Sequence, residues 1–258
     1  MHLDAAELQG FYDGDLGQIS RRFVRGKLRE VWPNVKGMAV LGVGYATPYL
    51  RPFQAEAARV IALMPAQQGV TPWPSQTANV AALTSESQLP LPDACIDRAI
   101  IAHVVETSEE LRPLLRQIWR VLTPSGRIVV IAPNRLSLWA QFETTPFGHG
   151  RPFSRTQLNR LLTEAMFTPT ASTTCLHMPP FGVRWLVRNG TRWERWGHRL
   201  WPQLAGVHLT EATKEVIALA PDKGSRQRVL KPVLITRPAA STRRSRPRPS
   251  DCPSNLER

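Results

Sequence analysis

Short apolar runs alternate with helical stretches in the middle of the chain. The runs are rich in β-branched residues and nearly continuous in apolar character; they cover 38–43, 59–64, 79–83, 97–105 and 126–133. Such runs are typical of strands in a parallel sheet that is buried on both faces. Strands that alternate with helices predict a Rossmann-like, doubly wound α/β sheet, mostly parallel, with helices on both faces.

The clearest helix is predicted over 108–122. Its apolar residues recur at helical spacing from Leu111 onwards, which is the pattern of an amphipathic helix. Ser108 is the expected N-cap, and the TPSG sequence at 123–126 is expected to end the helix in a turn. Two further helices are predicted, over 16–33 and, with Ser154 as the cap, over 153–167.

Two later strands, 168–178 and 208–219, complete the predicted sheet. Apolar and polar residues alternate in the second, which predicts an exposed antiparallel strand at the edge of the sheet. We therefore expect three parts: a helical extension over 1–36, an α/β domain over 37–221 that contains a Trp/Arg-rich insertion over 183–206, and a basic tail over 222–258.

Positive charge is concentrated in the tail. Residues 222–258 hold ten Lys and Arg against three acidic residues, which supplies +7 of the formal net charge of +13. Rich in Pro, Ser and Arg and without apolar periodicity, this segment is predicted to be disordered. A basic tail can hold nucleic acid or an anionic membrane by counterion release, but we favour a solvated terminus.

Tryptophans and arginines share helical faces in the insertion over 183–206. The segment has five arginines and one acidic residue, Glu194. The residues that recur at steps of three and four are Trp185, Arg188, Arg192, Arg195, Trp196 and Arg199. The helix could cover an active site, dock a partner or rest on an anionic membrane surface. We prefer an amphipathic helix whose tryptophans pack on the sheet while the arginines extend to solvent.

Several classes of protein do not match the sequence. The three cysteines, Cys95, Cys175 and Cys252, are too far apart for a disulfide framework or a metal site, so no metal is expected. No apolar run approaches the roughly 18 to 20 residues of a membrane span. The acidic N-terminus lacks the positive flank of a signal peptide. We expect a cytoplasmic protein.

The segment 89–134 carries a family resemblance. It contains LPLPDACID before the fourth strand and RVLTPSGRIVVI at the transition from helix to fifth strand. These stretches resemble the Methyltransferase type 11 group of class I S-adenosylmethionine-dependent methyltransferases. The matching positions are Leu89, Pro90, Pro92, Asp93, Asp97, Arg120, Val121, Leu122, Pro124, Gly126 and Arg127. The resemblance implies S-adenosyl-L-methionine as cofactor and a small-molecule or other unknown methyl acceptor.

The cofactor loop departs from the family pattern. In the family, the first strand ends in an acidic residue followed by three alternating glycines. Here Gly42 takes the acidic position, Gly44 the first glycine, Ala46 the second and Pro48 the third. Proline fixes φ and removes an N–H group, so the loop is expected to be remodelled and longer than usual.

Two further acidic anchors of the family are altered as well. The second strand should end in Asp or Glu, which holds the ribose hydroxyls, but Met64 stands there, and a thioether is a weak acceptor. Gln67 or Gln68 could substitute. The adenine-contacting acid falls beside Glu86, which a small shift of register would bring into place.

The resemblance therefore implies eight cofactor-binding residues and no assigned catalytic residue. They are Gly42, Gly44, Tyr45, Ala46, Met64, Glu86, Leu89 and His103. His103 ends the fourth strand, where open α/β sheets place ligands, although a hydrogen-bonded core histidine is an equal alternative.

Two questions stay open at the level of the sequence. The loop over 144–154, with His149 and Arg151, could be a lid that bends at its glycines or a rigid connector. The chain is expected to be a methyltransferase acting on an unknown acceptor; the alternative is a methyltransferase-fold pseudoenzyme with a binding or regulatory role.

Overall fold

The computed structural model of the chain describes residues 3–182 and 190–215. These residues fall in one unit that extends to residue 217. The predicted basic tail over 222–258 and residues 183–189 of the Trp/Arg-rich insertion lie outside the described residues.

Seven strands form one sheet in the order β3-β2-β1-β4-β5-β7-β6. Neighbouring strands among β1 to β5 are parallel, whereas β7 is antiparallel to both β5 and β6. The strands are β1 Ala39–Gly44, β2 Arg59–Pro65, β3 Ala81–Thr84, β4 Ile96–Ala102, β5 Leu122–Pro133, β6 Phe167–Cys175 and β7 Val207–Lys214. The predicted mostly parallel, doubly wound sheet is confirmed.

Six α-helices accompany the sheet in the described part of the chain. They are α1 Ala5–Asp13, α2 Asp15–Val31, α3 Thr47–Leu50, α4 Leu111–Val121, α5 Arg155–Glu164 and α6 Gly190–Leu200. Ser154 caps α5 as predicted, in a capping box with Gln157. A second capping box, made by Asp4 and Glu7, begins α1.

The sheet has an apolar core on each face. Side chains that alternate along β1 enter different cores: Val40 joins one, Leu41 the other. The first core includes residues of α1 and α2, such as Val24, and the second includes residues of α4 and α5, such as Leu158. Helices on both faces explain why the strands are apolar throughout.

One strand does not lie where its sequence pattern indicated. The alternation over 208–219 predicts an exposed edge, but β7 lies between β5 and β6, and β6 is the edge strand. Polar residues of β7 find partners inside the protein: Glu211 accepts hydrogen bonds from Trp32 Nε1 at 2.9 Å and Thr170 Oγ1 at 2.9 Å. The alternation therefore reflects hydrogen bonding between elements rather than solvent.

Both predicted ends of the 108–122 helix are wrong. Helix α4 begins at Leu111 because the Ser108 hydroxyl donates to Glu86 Oε2 at 2.5 Å instead of capping the helix. At the other end, β5 begins at once with Leu122. The TPSG sequence forms an irregularity in that strand, where the pairing with β4 changes register.

The motif residues that carry the resemblance act largely as scaffold. The Arg120 guanidinium donates to Asp93 Oδ1 at 2.5 Å and to the Leu89 and Leu91 carbonyls at 2.9 Å each. Asp97 Oδ2 accepts from the Ala39 N–H at 2.9 Å. These bonds fix the chain that leads into β4 against α4 and β1.

Candidate active site

The predicted site residues gather at the carboxyl edge of the sheet. Strands β1 and β4 are neighbours, and the chain continues from β1 towards β2 on one side and resumes at β4 on the other. This switch of direction opens the crevice where doubly wound sheets bind ligands. Gly44 is the last residue of β1, Met64 is the penultimate residue of β2, and His103 directly follows β4.

Gly44 provides a close approach of two strands. Its φ is +75°, and a Cβ atom there would lie 2.2 Å from the Ala102 carbonyl oxygen of β4. A glycine is therefore required on both conformational and steric grounds. Ala46, at the second glycine position of the family, has a φ of −90° and adopts its conformation without strain.

The acidic position of the family is filled by apolar packing. A Cβ atom on Gly42 would lie 2.6 Å from Leu50 Cδ1 and 2.9 Å from Ala46 Cβ. Leu50 reaches this place because α3 is a single short turn, followed by the 3₁₀ turn Arg51–Phe53 that contains Pro52. No acidic side chain fits at Gly42.

The other two family anchors are also committed within the protein. Met64 is fully buried in the core. Glu86 Oε2 accepts from Ser108 Oγ and, at 3.3 Å, from the Glu110 N–H, so its carboxylate positions the start of α4. Leu89 is buried beneath the same segment.

A buried polar chain of four residues lies at the end of β4. Tyr12 of α1 places its hydroxyl 2.5 Å from Tyr49 Oη and 2.6 Å from His103 Nε2. His103 Nδ1 lies 3.3 Å from Glu106 Oε1. None of the four residues is more than 4% exposed. Direct contacts in the order Tyr49–Tyr12–His103–Glu106 therefore link α1 and α3 to the segment after β4.

Protonation states in this polar chain follow from burial. Burial, followed by the neighbouring Tyr49, holds the pKa of Tyr12 well above its usual value, and burial likewise raises the pKa of Tyr49. Both phenols are thus protonated at neutral pH. In the tautomer that carries its proton on Nδ1, His103 accepts at Nε2 from the Tyr12 hydroxyl.

His103 has a strained backbone. Its φ is +54°, in the left-handed region that histidine enters uncommonly. The ring packs against Phe147, with centroids 5.1 Å apart, and against Tyr12 at 5.7 Å. The structure shows the hydrogen-bonded histidine, which was one of the two interpretations. Its strained backbone also lies at the edge of the sheet where ligands bind, and strained residues cluster at functional sites.

Two buried acceptors at the same edge lack partners among the described residues. They are Gln68 Oε1 and Glu106 Oε2. Gln68 follows β2. Its side-chain Nε2 donates to the His103 backbone carbonyl at 2.8 Å, and its backbone carbonyl accepts from the Ala5 N–H at 2.7 Å. Gln68 is thus bonded to α1 through its backbone and to the His103 carbonyl through its side-chain amide, whose oxygen is left free.

The loop over 144–154 closes on this edge as a tightly packed connector. A Cβ atom on Gly150 would lie 2.3 Å from the Glu106 carbonyl oxygen, and the Arg151 N–H donates to that oxygen at 2.8 Å. His149 Nε2 contacts the Glu143 carbonyl at 2.7 Å. These contacts favour the connector over a lid that bends at its glycines.

The Trp/Arg-rich insertion divides between core and surface. In α6, Trp193 packs against the core formed with α1 and α2, whereas Trp196 is 70% exposed. Glu194 accepts from the N–H groups of Leu176 and His177 and so attaches α6 to the end of β6. Trp185 lies outside the described residues.

A cavity of about 610 Å³ lies beside the polar chain. It is bounded by α2, by the chain that follows β1 and by residues 71–77. Among the described residues that line it, Tyr45 is the one that the sequence had assigned to the cofactor. The Tyr45 ring stacks on Tyr12, with centroids 5.9 Å apart.

Sequence comparison assigns the segment that builds this edge. Residues 40–130 match a family model described as a methyltransferase domain. This part of the chain is similar to methyltransferase domains. Two curated relatives are named as probable S-adenosylmethionine-dependent methyltransferases. One, from Mycobacterium tuberculosis, is 34% identical over 95 residues, which are 36% of this chain and 34% of that protein.

The second relative, from Mycolicibacterium smegmatis, is 34% identical over 83 residues, or 31% of this chain and 32% of its own length. The chain therefore spans about a third of the length of the curated relatives it matches.

Solved structures agree with the methyltransferase fold. A methyltransferase of Archaeoglobus fulgidus superimposes with a TM-score of 0.55 at 21% identity, covering 75% of this chain and 94% of the other. The [4+2]-cyclase SpnF gives 0.52 at 18%, covering 78% and 82%. At such identities the likeness shows the fold alone, and the reaction depends on the site.

The described residues contain neither a membrane-spanning helix nor a metal-binding group. No described helix is long and apolar enough to cross a membrane. No group of three or more His, Cys, Asp or Glu side chains within the described ranges could hold a metal ion.

Sequence reasoning missed three contributors to this site. Tyr12, Tyr49 and Glu106 were not among the residues that the sequence assigned to the site. Tyr12 lies 91 positions from His103, so no local spacing could have joined them. The available signal was chemical: a tyrosine in an amphipathic N-terminal helix needs a partner for its hydroxyl when it is buried.

Proposed function

We propose that the chain is an S-adenosylmethionine-dependent methyltransferase that acts on a small-molecule acceptor. One observation carries the proposal: the methyltransferase match over 40–130 contains all eight residues expected to bind the cofactor, and two of them, Gly44 and His103, end or follow the strands that flank the switch point. Cytoplasmic location stays a prediction from the sequence.

The donors of the cofactor suit the acceptors that the site leaves free. S-adenosylmethionine presents ribose hydroxyls and an amino group, all hydrogen-bond donors. Gly42 and Met64 cannot accept from them, but Gln68 Oε1 and Glu106 Oε2 are buried, unpartnered among the described residues and at the same edge. A buried acceptor without a partner costs about 1–3 kcal/mol, which a donor from the cofactor would offset.

We assign these two residues the anchoring role that the family gives to acids after β1 and β2. Gly44 would let the backbone approach the cofactor, and Tyr45 and Ala46 would flank it. When bound, S-adenosylmethionine supplies an electrophilic methyl group on its sulfonium. The positions at Glu86 and Leu89 would border the adenine side.

The polar chain gives the protein a route for the proton that the acceptor loses. Tyr12 lines the cavity and donates to His103 Nε2, so it can receive a proton on its oxygen as it passes its own to the imidazole. Glu106 then stabilises the imidazolium. Phe147 and Tyr45 exclude water from this path.

Titration calorimetry with S-adenosylmethionine and with S-adenosylhomocysteine tests the proposal. Glu106→Gln should weaken binding about 10- to 100-fold, because a charge-assisted hydrogen bond of about 1.5–3 kcal/mol is lost. Glu109→Gln is the matched control, since Glu109 is exposed and three residues away. Folded wild-type protein that gives no heat with millimolar ligand would refute the proposal and leave the pseudoenzyme.

A further inference from the structure

Three arginines converge on the cavity beside the polar chain. Arg21 and Arg25 come from α2, and Arg51 follows α3. The one acidic residue among the described residues that line the cavity is Asp13. Three guanidinium groups against one carboxylate leave the cavity with an excess of two positive charges.

These arginines have no carboxylate partner within the described part of the chain, where none of the three forms an ion pair. Arg25 Nε donates to the Pro48 carbonyl at 2.5 Å, which fixes the side chain but does not neutralise it. An excess of charge held at fixed positions is the chemistry of an anion site.

The electrostatic state of Arg25 agrees with this picture. Burial, followed by the positive charges of Arg21 and Arg51, lowers the pKa of Arg25 to about 10. The like charges therefore lie close enough to repel one another. A bound anion would remove this repulsion and offset the cost of burying a cation.

The cavity has the size and walls of a small-molecule site. Its volume of about 610 Å³ lies within the range of roughly 300–1,000 Å³ that ligand pockets occupy. Trp73 and Tyr45 supply apolar surface opposite the arginines, and Thr47 and Thr71 supply hydroxyl groups. Such a lining suits a ligand with one anionic group on a compact apolar body.

The cavity shares Tyr45 with the residues assigned to the cofactor but does not contain the proposed anchors. Gln68, Glu106 and Gly44 do not line it, whereas Tyr12 does, and Tyr12 bonds to His103. A ligand in the cavity would thus lie next to the proton route without using the cofactor's anchors. This is the position expected of the molecule that loses the proton.

We propose that this cavity binds the methyl acceptor and that the acceptor is a small anionic molecule, a carboxylate or a phosphate, held by Arg21, Arg25 and Arg51. The acceptor role rests on the proposed function; the anion site does not.

Titration calorimetry at fixed ionic strength, with benzoate and phenyl phosphate as probes, tests the anion site. The two probes distinguish a carboxylate from a phosphate as the preferred group. At least one probe should bind saturably, and Arg21→Gln or Arg51→Gln should weaken it about 10-fold or more. Arg25 is left intact because its bond to Pro48 supports α3.

Arg22→Gln is the matched control. Arg22 lies on the same helix, is exposed and does not line the cavity, so the variant removes the same charge elsewhere. Its effect on probe binding should stay within about two-fold, the scale of a screened surface charge. Thermal unfolding of each variant verifies that the protein is folded. An equal loss in Arg22→Gln, or no saturable binding of either probe, would overturn the proposal.

S-adenosylhomocysteine, titrated into the same variants, separates the possible failures. We expect its affinity to be unchanged by Arg21→Gln and Arg51→Gln. If it falls as much as that of the probes, the arginines hold the cofactor's own carboxylate, and the inference fails while the proposed function stands. If the probes bind as expected but S-adenosylhomocysteine does not bind at all, the proposed function and the acceptor role fail and the anion site stands.

Discussion

At the scale of single residues, Gly44 shows how one retained position of a motif can be essential for the fold. The family pattern around it has changed at Gly42, Ala46 and Pro48, yet Gly44 keeps a φ of +75° and lies against the Ala102 carbonyl. The sequence identified this glycine correctly. It could not show that Leu50 fills the space beside Gly42, because that contact depends on where α3 ends.

Replacing Gly44 by alanine should destabilise the protein by about 2–4 kcal/mol, because steric overlap with β4 adds to the cost of a positive φ. Urea unfolding measures the change. Gly37→Ala is the matched control: Gly37 also has a φ of +75°, but a Cβ atom there meets nothing within 4 Å. We expect about 1 kcal/mol for Gly37→Ala, from strain alone. Equal losses in the two variants would contradict the steric argument.

His208 of β7 should make stability depend on pH. Burial, followed by Arg155, lowers its pKa from the ordinary value of 6.5. The unfolded chain therefore binds the proton more readily, and stability falls as pH drops through 6.5 towards the lower folded value.

Urea unfolding across that range, in wild type and in His208→Gln, measures this contribution. The variant should lose the part of the pH dependence that arises in this window, while stability above it changes little with pH in both proteins. An identical slope in the two proteins would show that other groups cause it.

At the scale of elements, the sequence predicted which segments are helices and strands better than where they end. The boundary errors at α4 have one cause: Glu86, which follows β3, takes the hydroxyl of Ser108 and the N–H of Glu110. A local pattern cannot show that a distant carboxylate competes for a capping residue. The misplaced strand β7 has a similar cause, since Trp32 of the segment after α2 supplies the partner of Glu211.

Helix α1 is the element most directly coupled to the site. Ala5 binds the Gln68 carbonyl, and Tyr12 binds His103, so both ends of α1 contact residues assigned to catalysis or cofactor binding. Helix α1 lies outside the segment 40–130 of the family match. Through these two contacts it closes the edge where the cofactor is proposed to bind.

Cofactor binding should therefore stabilise α1. We expect S-adenosylhomocysteine to slow amide hydrogen exchange in α1 and near Gln68 and Glu106, because a ligand held by these two residues stabilises the edge that α1 closes. Strand β6 serves as the internal control and should not change. Unchanged or faster exchange in α1 on binding would contradict this coupling.

At the scale of the whole molecule, charge is distributed in a way that composition conceals. Much of the formal charge of +13 belongs to the tail, which lies outside the described residues. The cluster that matters for the proposed acceptor site is smaller: Arg21, Arg25 and Arg51 are separated by up to 30 positions and meet only because α2 packs beside the chain that follows β1.

The sequence by itself determined the fold class, because apolar runs of strand length that alternate with amphipathic helices allow few other arrangements. It also determined the edge at which the site lies, since parallel strands bring their carboxyl ends together. Only the tertiary structure decided which side chains meet there. Tyr12, His103 and Glu106 form one buried polar chain, Gln68 keeps a free acceptor, and three arginines share a cavity. These contacts join positions that are distant in the chain. They depend on how the elements pack, and such packing produces no periodic pattern in the sequence.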